Sequence, residues 1–548
     1  MRVTIFALFT VTFAGQVWAG QQEVRVAADK SVKLLQGSMG QWKQDCASCH
    51  HHLLPLMALT TARQHGIAIN EKAAQTVADN VFGGFLASVD DVVRYNYIGD
   101  PGAFESYVLL TARTMGVAPS LTTTISVRRI ASMQKPDGSW AMLDARPPHS
   151  GSIFMATALA AQAVANYMPE NKQTVERARR WLESTKAASA EDHAFRMLGL
   201  MWTGAAKEVR SRAAKEALAL QHADGGWGQL PGLDSDAYST AEMVYTLRES
   251  AGVANEKGIA YLVRTQKPDG SWQVETRLKA VAPVSPPYFE TGFPGGHNQF
   301  ISAAATAWAV MALAQTLPAQ EAKPLSVAAA VPKNVQPWME SLDDPKAATA
   351  QGTTALMLAA HDPAKVKALI ERGADVNART RTGYDALMVA SQYGGNVESV
   401  RLLLARGASP APRKGVLFNM SALFVASLAG DAEIVELLLK HGASPKDASI
   451  LFGFYPSRPL EVAAMFQHAG VMRALVRGGA NVDAEDAGHM TPLSWAALYH
   501  KDTTVATLLE LGANPKHVDK YGYTPLQHTP GIHNSSPKTA EILKAALK

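Results

Sequence analysis

The sequence predicts an all-α protein in two helical parts, a closed ring followed by an open stack. Three observations carry that expectation. A Gly-Ala pair closes a Leu-rich segment at near-constant spacing through the C-terminal part, a Gln-x-x-x-Gly-x-Trp element recurs in the N-terminal part, and nearly all-apolar helices lie between those elements. At 548 residues the chain is too long for one ordinary core, so more than one domain is expected. Hydrophobic residues make up 47% and charged residues 18%, a globular composition. The net charge of +4, with no dense Lys/Arg block and no aromatic-basic stripe, gives no reason to expect a nucleic-acid partner.

Residues 1–19 read as a secretory signal peptide. Arg2 supplies the positive start, Val3 to Phe13 is apolar, and Val17-Trp18-Ala19 offers small residues at the positions a signal peptidase reads. The alternative is an uncleaved anchor. Gly15 and Gln16 break the run short of the roughly 20 apolar residues that a span needs, which favours cleavage after Ala19. No later stretch reads as transmembrane, so the product is expected to be periplasmic or secreted.

The only cysteines, Cys46 and Cys49, stand in Cys46-Ala47-Ser48-Cys49-His50, the Cys-x-x-Cys-His attachment signature of c-type haem. On a helix these positions stand at i, i+3 and i+4, so two thiols and one imidazole share a face. The thiols can then add to the haem vinyl groups, with His50 as an axial iron ligand. Three other readings stay open: a local disulfide, zinc held with two of His50, His51 and His52, or an inert pair. Met57 lies on the same helix and cannot easily reach across, so either a distant Met or His supplies the sixth haem ligand or the site is five-coordinate.

Residues 20–318 carry the Trp elements: Gln134 to Trp140, Gln221 to Trp227 and Gln266 to Trp272. Each follows an amphipathic helix, and its Asp-Gly demands a tight turn. A buried indole needs a partner for its N–H, and the glutamine is expected to stack on it or bond to it, pinning outer-helix ends together. Ile153 to Tyr167 and Ile301 to Leu317 are apolar all round and are expected to be buried on every side. Alternating amphipathic and fully buried helices imply an outer and an inner ring. With these glutamine-tryptophan elements, about residues 30–318 resemble the α/α toroid of the squalene-hopene cyclase and prenyltransferase superfamily. Arg146-Pro147-Pro148, Asp236 to Ala241 and Gln299-Phe300-Ile301-Ser302 place the resemblance nearest to exported cyclase-like proteins.

That resemblance does not extend to the acid of a class II cyclase. The Asp-x-Asp-Asp stretch before Thr240-Ala241 reads here Asp236-Ala237-Tyr238-Ser239, and a phenol of pKa about 10 cannot protonate an alkene. Ser88-Val89-Asp90-Asp91 looks similar but reads as a helix start. Asp236, Tyr238, His149, His297 and Gln299 are the candidate cavity-lining residues, set against the reading that they are structural polar groups.

Residues 319–345, rich in Ala and Pro, read as a linker that Trp338 docks onto one side. In 346–548 the Gly-Ala pairs begin at Gly373, Gly407, Gly442, Gly479 and Gly512, spacings of 34, 35, 37 and 33 residues. Each glycine ends a helix in the left-handed conformation, and Thr-Pro starts the partner helix. One such hairpin cannot hide its apolar face, so hairpins must stack. The period and motifs resemble ankyrin repeats, about six units, with the unit from Thr524 as a C-terminal cap. The resemblance implies a protein-binding surface, against the alternative of a scaffold for the ring. The whole reads as an exported binding protein with covalent haem c in a redox or sensing role. The alternative is an enzyme acting on an apolar, isoprenoid-type molecule in the ring.

Overall fold

The structure, a computed structural model, describes residues 6–41, 49–94, 101–142, 151–277, 291–322, 325, 327–333, 335–411, 416–451, 455–529 and 537–548, with the backbone alone at 6–19, 49, 50, 101, 328, 417, 451 and 455. The first part holds α1 (Phe6–Met39), α2 (Leu54–Gln64), α3 (Glu71–Phe85), α4 (Val89–Arg94), α5 (Ser106–Thr114), α6 (Leu121–Ser132), α7 (Ile153–Tyr167), α8 (Lys172–Ser184), α9 (Ala190–Trp202), α10 (Lys207–Leu218), α11 (Ala237–Ala251), α12 (Glu256–Thr265) and α13 (Gln299–Ala314). Helices α2, α5, α7, α9, α11 and α13 each pack on the next, and α13 packs on α2, so the inner ring closes. The outer helices α1, α3, α6, α8, α10 and α12 each pack across a pair of inner ones. The composition dictates which goes where. In α13 every residue but Phe300 is buried, and in α7 only Ile153, Ala165 and Asn166 keep intermediate exposure. Meanwhile α8 buries only Thr174, Ala178, Trp181 and Leu182.

The three Trp elements are the corners that hold the outer helices. Trp140, Trp227 and Trp272 donate their indole N–H to the carbonyls of Ile130, Ala217 and Leu262, at 2.6, 2.9 and 2.9 Å. Their backbone N–H groups donate to the hydroxyls of Thr157, Thr240 and Thr306 on the following inner helices. The glutamines do something other than bond the indole. Gln134 donates to the Thr174 carbonyl in α8, Gln221 to Asn255 at the start of α12, and Gln266 to the Ala27 carbonyl and Ser31 of α1. An amide can bridge two outer helices, whereas the indole N–H is already satisfied by its own preceding helix. The third corner joins the end of the ring to its beginning.

The second part is a stack of helical hairpins. After α14 (Pro337–Ser341), the inner helices α15 (Ala355–Ala359), α17 (Ala386–Ala390), α19 (Ala422–Ala429), α21 (Pro459–Met465) and α23 (Pro492–Leu498) alternate with the outer helices α16 (Pro363–Glu371), α18 (Val397–Ala405), α20 (Ala432–Lys440), α22 (Ala469–Arg477) and α24 (Asp502–Glu510). Each inner helix packs on the next inner one, and each outer on the next outer. The five repeat glycines take φ of +90°, +86°, +95°, +92° and +91°, as a left-handed helix end requires. In the last unit the inner helix shortens to a single turn, Pro525–His528, before α25 (Pro537–Ala546). The expectation of helices alone needs one amendment: Ser449–Leu451 pairs antiparallel with Tyr455–Ser457. This hairpin sits in the longest repeat interval, where the extra residues of the connecting turn satisfy their backbone groups by pairing.

The described residues of 319–345 do not run free. Gln320 N–H donates to the Gln64 carbonyl at 2.7 Å, the Ala328–Ala330 turn packs on α3, and Lys333 N–H donates to Ala87 at 2.9 Å. Met339 is buried in the core of the stack, with half-buried Trp338 against it. The stack also grips the ring directly. Buried Arg129 of α6 forms a salt bridge with Glu105 and donates to the Val92 carbonyl at 2.9 Å and to Gln392 of the second hairpin at 3.3 Å. Asp90 of α4 accepts from both Thr349 and Thr353, and Arg94 donates to Thr382 at 3.0 Å. Ser88 caps α4 as its sequence implies, accepting from Asp91 N–H. The pairing of Asp90 with the stack had no sequence signal.

Two measurements check these contacts. A β-carbon at Gly225 (φ +91°) would meet the Lys257 carbonyl at 2.5 Å, whereas one at Gly232 (φ +84°) would meet nothing within 4 Å. Denaturant titration should therefore give a loss of about 3 kcal/mol or more for Gly225→Ala and about 1 kcal/mol for Gly232→Ala, and equal losses would contradict the corner packing. Arg129→Met strands Glu105 and should destabilise the protein by about 3–5 kcal/mol. A loss under about 1 kcal/mol would mean that the bridge is not holding the two parts together.

Candidate functional site

The inner helices run parallel, so their N-termini gather at one mouth of the ring. Ser152, the N-cap of α7, donates to Asp192 in the first turn of α9 at 2.5 Å. Gln229, shortly before α11, donates to the Glu275 carbonyl, and Arg277, before α13, reaches back to the Gly151 carbonyl. A wide turn at Cys49–Leu53 leads into α2 at this same mouth, packed against α5 and α13. His51 lies edge-on to Phe293, centroids 6.5 Å apart. Burial lowers His51 to about 3 and His52 to about 4, so both rings stay neutral.

Inside the mouth the axis is filled by side chains from several inner helices. Tyr107 meets Phe195 at 6.5 Å, Phe195 meets Trp308 at 6.2 Å, and Tyr245 meets Trp308 at 5.4 Å. Helices α5 and α9 are not ring neighbours, nor are α9 and α13, so these contacts cross the centre. Beside the rings sits a group of carboxyls. The Tyr238 hydroxyl donates to Glu191 at 3.2 Å, and Glu242 follows Tyr238 by one turn on the same face of α11. Glu191 and Glu242 are 3% and 1% exposed. Burial first, then the charge of Glu191 and, to a lesser extent, that of Asp236 hold Glu242 well above the usual carboxylate range, while the Tyr238 hydroxyl and Arg277 act the other way. Burial also raises Tyr238 well above the ordinary phenol range.

The candidate residues separate by place. Asp236 and Tyr238 belong to the acid group. Asp236 caps α11 through Ser239 N–H at 2.9 Å, and burial pushes it up to about 6. Gln299 is buried in the first turn of α13, where it accepts from Thr291 N–H at 2.9 Å. It thereby positions the Thr291–Phe293 strip against His51. His297 stands exposed in the turn before α13. His149, Arg146, Pro147, Pro148 and Cys46 lie outside the described residues, as do the side chains of Cys49 and His50. Among the described residues no group of three His, Cys, Asp or Glu could hold a metal ion, and no helix is long and apolar enough to cross a membrane. Glu191 and Glu242 were missed from sequence. Glu242 alone had a signal, as a carboxyl four residues after Tyr238 inside an otherwise buried helix.

With this geometry in hand, the comparisons with known proteins divide along the same line. A family model described as ankyrin repeats (3 copies) matches residues 325–414, and one described as ankyrin repeat matches 418–449. The hairpin stack is an ankyrin-repeat stack. It continues past the matched residues through α21 to α25. The human SH3 and multiple ankyrin repeat domains protein 2 is 42% identical over 86 residues, 16% of this chain and 5% of that protein. The solved human ASB11 ankyrin repeat domain aligns with a TM-score of 0.32 at 25% identity, over 38% of this chain and 89% of that one. A drimenyl diphosphate synthase from Streptomyces showdoensis is 31% identical over 166 residues, 26% of this chain and 30% of that protein. The chain thus spans less than a third of the length of the curated relatives it matches, and its ring is terpenoid-cyclase-like in fold.

The acid group makes a pH prediction with a definite sign. A carboxyl whose folded pKa is raised contributes stability that is intact below its unfolded value of 4.5 and lost as pH rises through the folded value. Asp236 acts in the same direction but is spent above about pH 6. Stability should therefore keep falling above pH 6, where the Asp236 contribution is spent, and Glu242→Gln should flatten that fall. Identical slopes in the two proteins would show that Glu242 does not keep its proton.

Proposed function

We propose that this is an exported interaction protein whose ankyrin-repeat stack binds a protein partner through its distal hairpins. In this reading the ring bears haem c on Cys46 and Cys49, with His50 as axial ligand. The partner reading is carried by one observation: the first two hairpins grip the ring through Thr349, Thr353, Thr382 and Gln392, and the hairpins from α19 onward extend the stack beyond that grip. Repeat solenoids present their inner surfaces to partners. The haem reading is supported by the donor set, two thiols at i and i+3 with an imidazole at i+4, and by the wide turn that brings Cys49 and His50 to the mouth of the ring. When bound, haem would supply one-electron chemistry or ligand sensing. The chain's own contribution there is to exclude water with Phe293 and the neutral rings of His51 and His52. Export is supported by the apolar run Val3 to Phe13 and by its agreement with a cofactor attached outside the bacterial cytoplasmic membrane.

Protein matured in a host able to attach haem c should show a Soret band that survives acid-acetone extraction and disappears in Cys46→Ala with Cys49→Ala. A colourless wild-type product would end the haem reading. For the partner, a photo-crosslinking side chain placed on α19 or α23 should give a discrete adduct in the native host; uniform absence of adducts along the stack would leave it a scaffold.

A second reading, an enzyme acting on an apolar isoprenoid-type molecule, is favoured by the aromatic axis, the likeness to drimenyl diphosphate synthases and the orphaned polar atoms of inner-helix Gln162 and Trp308. Turnover of a lipid extract by the wild type and its loss in Tyr238→Phe would support it. No change in any lipid would count against it.

A further inference from the structure

We propose that the axis of the ring binds an uncharged apolar molecule carrying hydroxyl groups, held by Glu242 at one level and by Gln162 and Trp308 at the next. The inference rests on the reading of the ring as a ligand chamber and names the polar groups that its ligand carries. Three buried side chains of the inner helices support it. Both Glu242 carboxyl oxygens, the Trp308 indole N–H and the Gln162 amide oxygen have no hydrogen-bond partner among the described residues, although these side chains are only 1%, 2% and 4% exposed. Buried polar atoms are seldom left so, and several on one surface mark a place where something else supplies the bond.

These atoms face a common centre. The hydroxyls of Thr157, Thr240 and Thr306 take the corner tryptophan N–H groups, so they mark the outward side of α7, α11 and α13. At about 100° per residue, Gln162, Glu242 and Trp308 stand roughly 140° to 200° around from them, on the side of the axis. The Trp308 ring agrees, since it meets Phe195 of α9 across the centre. Helices α7 and α13 lie opposite one another in the ring, and Gln162 and Trp308 are each the tenth residue of their helix. Glu242 is the sixth residue of α11, about 6 Å nearer the mouth. At its depth neighbouring α13 presents only the methyl group of Ala304.

The hydrogen-bonding capacities choose the ligand. The lower level offers one donor, the indole, and one acceptor, the amide oxygen. The upper level offers both in a single group, because Glu242 keeps its proton and the neighbouring Tyr238 hydroxyl spends its hydrogen on Glu191. A hydroxyl both accepts and donates, so it completes either level. A ketone would leave Gln162 bare, an ammonium would leave Trp308 bare, and a phosphate would set its charge against that of Glu191. Water has the capacity of a hydroxyl but needs about two to four polar partners. The rings of Phe195, Tyr245 and Trp308 offer it few, and they suit the carbon body of an alcohol.

Equilibrium dialysis of the full chain tests this with a radiolabelled long-chain alkanediol whose hydroxyls stand about 6 Å apart, and with the matching alkanol, alkane and alkyl phosphate. The diol should bind more tightly than the alkanol, and the alkanol more tightly than the alkane, by about fivefold or more at each step. Trp308→Phe and Glu242→Leu should each remove one step for the diol while leaving alkane binding unchanged. Glu242→Gln, which keeps a donor and an acceptor, should retain the affinity for the diol. Equal binding of diol and alkane, or tighter binding of the alkyl phosphate, would overturn the hydroxyl assignment and keep the ring as a chamber. No binding of any probe would overturn both and leave the orphaned atoms to ordered water. Diol binding without turnover of any lipid would keep the assignment and end only the enzymatic reading.

Discussion

Ring closure is the constraint on which the rest of the molecule depends. Helices such as α7 and α13 are apolar on nearly every side and cannot face water anywhere, so each must be enclosed by neighbours on both flanks and by an outer helix behind. A row of such helices would leave two raw edges. The structure removes them by packing α13 on α2 and by tying the last Trp corner to α1 through Gln266, 239 residues after Ala27. The tie is a handful of hydrogen bonds of ordinary strength, but the apolar surface that it helps to enclose is the whole inner ring.

The same closure creates the polar mouth. Because inner and outer helices alternate in direction, all six inner N-termini emerge together and bring caps, acids and the approach to α2 into one neighbourhood. The buried carboxyls of Glu191, in the first turn of α9, and Glu242, one turn into α11, are tolerated because the site keeps a proton rather than a full pair of charges. Beneath this polar entrance the aromatic rings of Tyr107, Phe195, Trp308 and Tyr245 meet across the centre.

The ankyrin-repeat stack is tied to this ring by buried polar bonds as well as by apolar packing. Arg129 satisfies groups from the ring wall and from the second hairpin at once, and Asp90 holds two threonines of the first turn. A surface of the type usually offered to a partner is thereby used within the chain at its first two hairpins. In the proposed function the scaffold role and the binding role, alternatives when only the sequence is considered, fall to opposite ends of one stack.

Local periodicity determined the architecture of this protein. Helix type, the ring of buried and amphipathic helices, the repeat glycines, the shortened last unit and the three corners each follow from residues within a few positions of one another. The tertiary structure alone decided what depends on distant partners: that the corner glutamines bridge outer helices instead of bonding their own tryptophans, that the Ala328–Ala330 turn packs on α3, and that Asp90 faces the stack. It also decided which candidates share a site. His297 and Tyr238 looked alike as polar residues near inner-helix ends, yet one is at the surface and the other is buried beside two carboxyls. A sequence specifies the face of a helix on which a side chain stands, but only packing specifies what lies opposite that face.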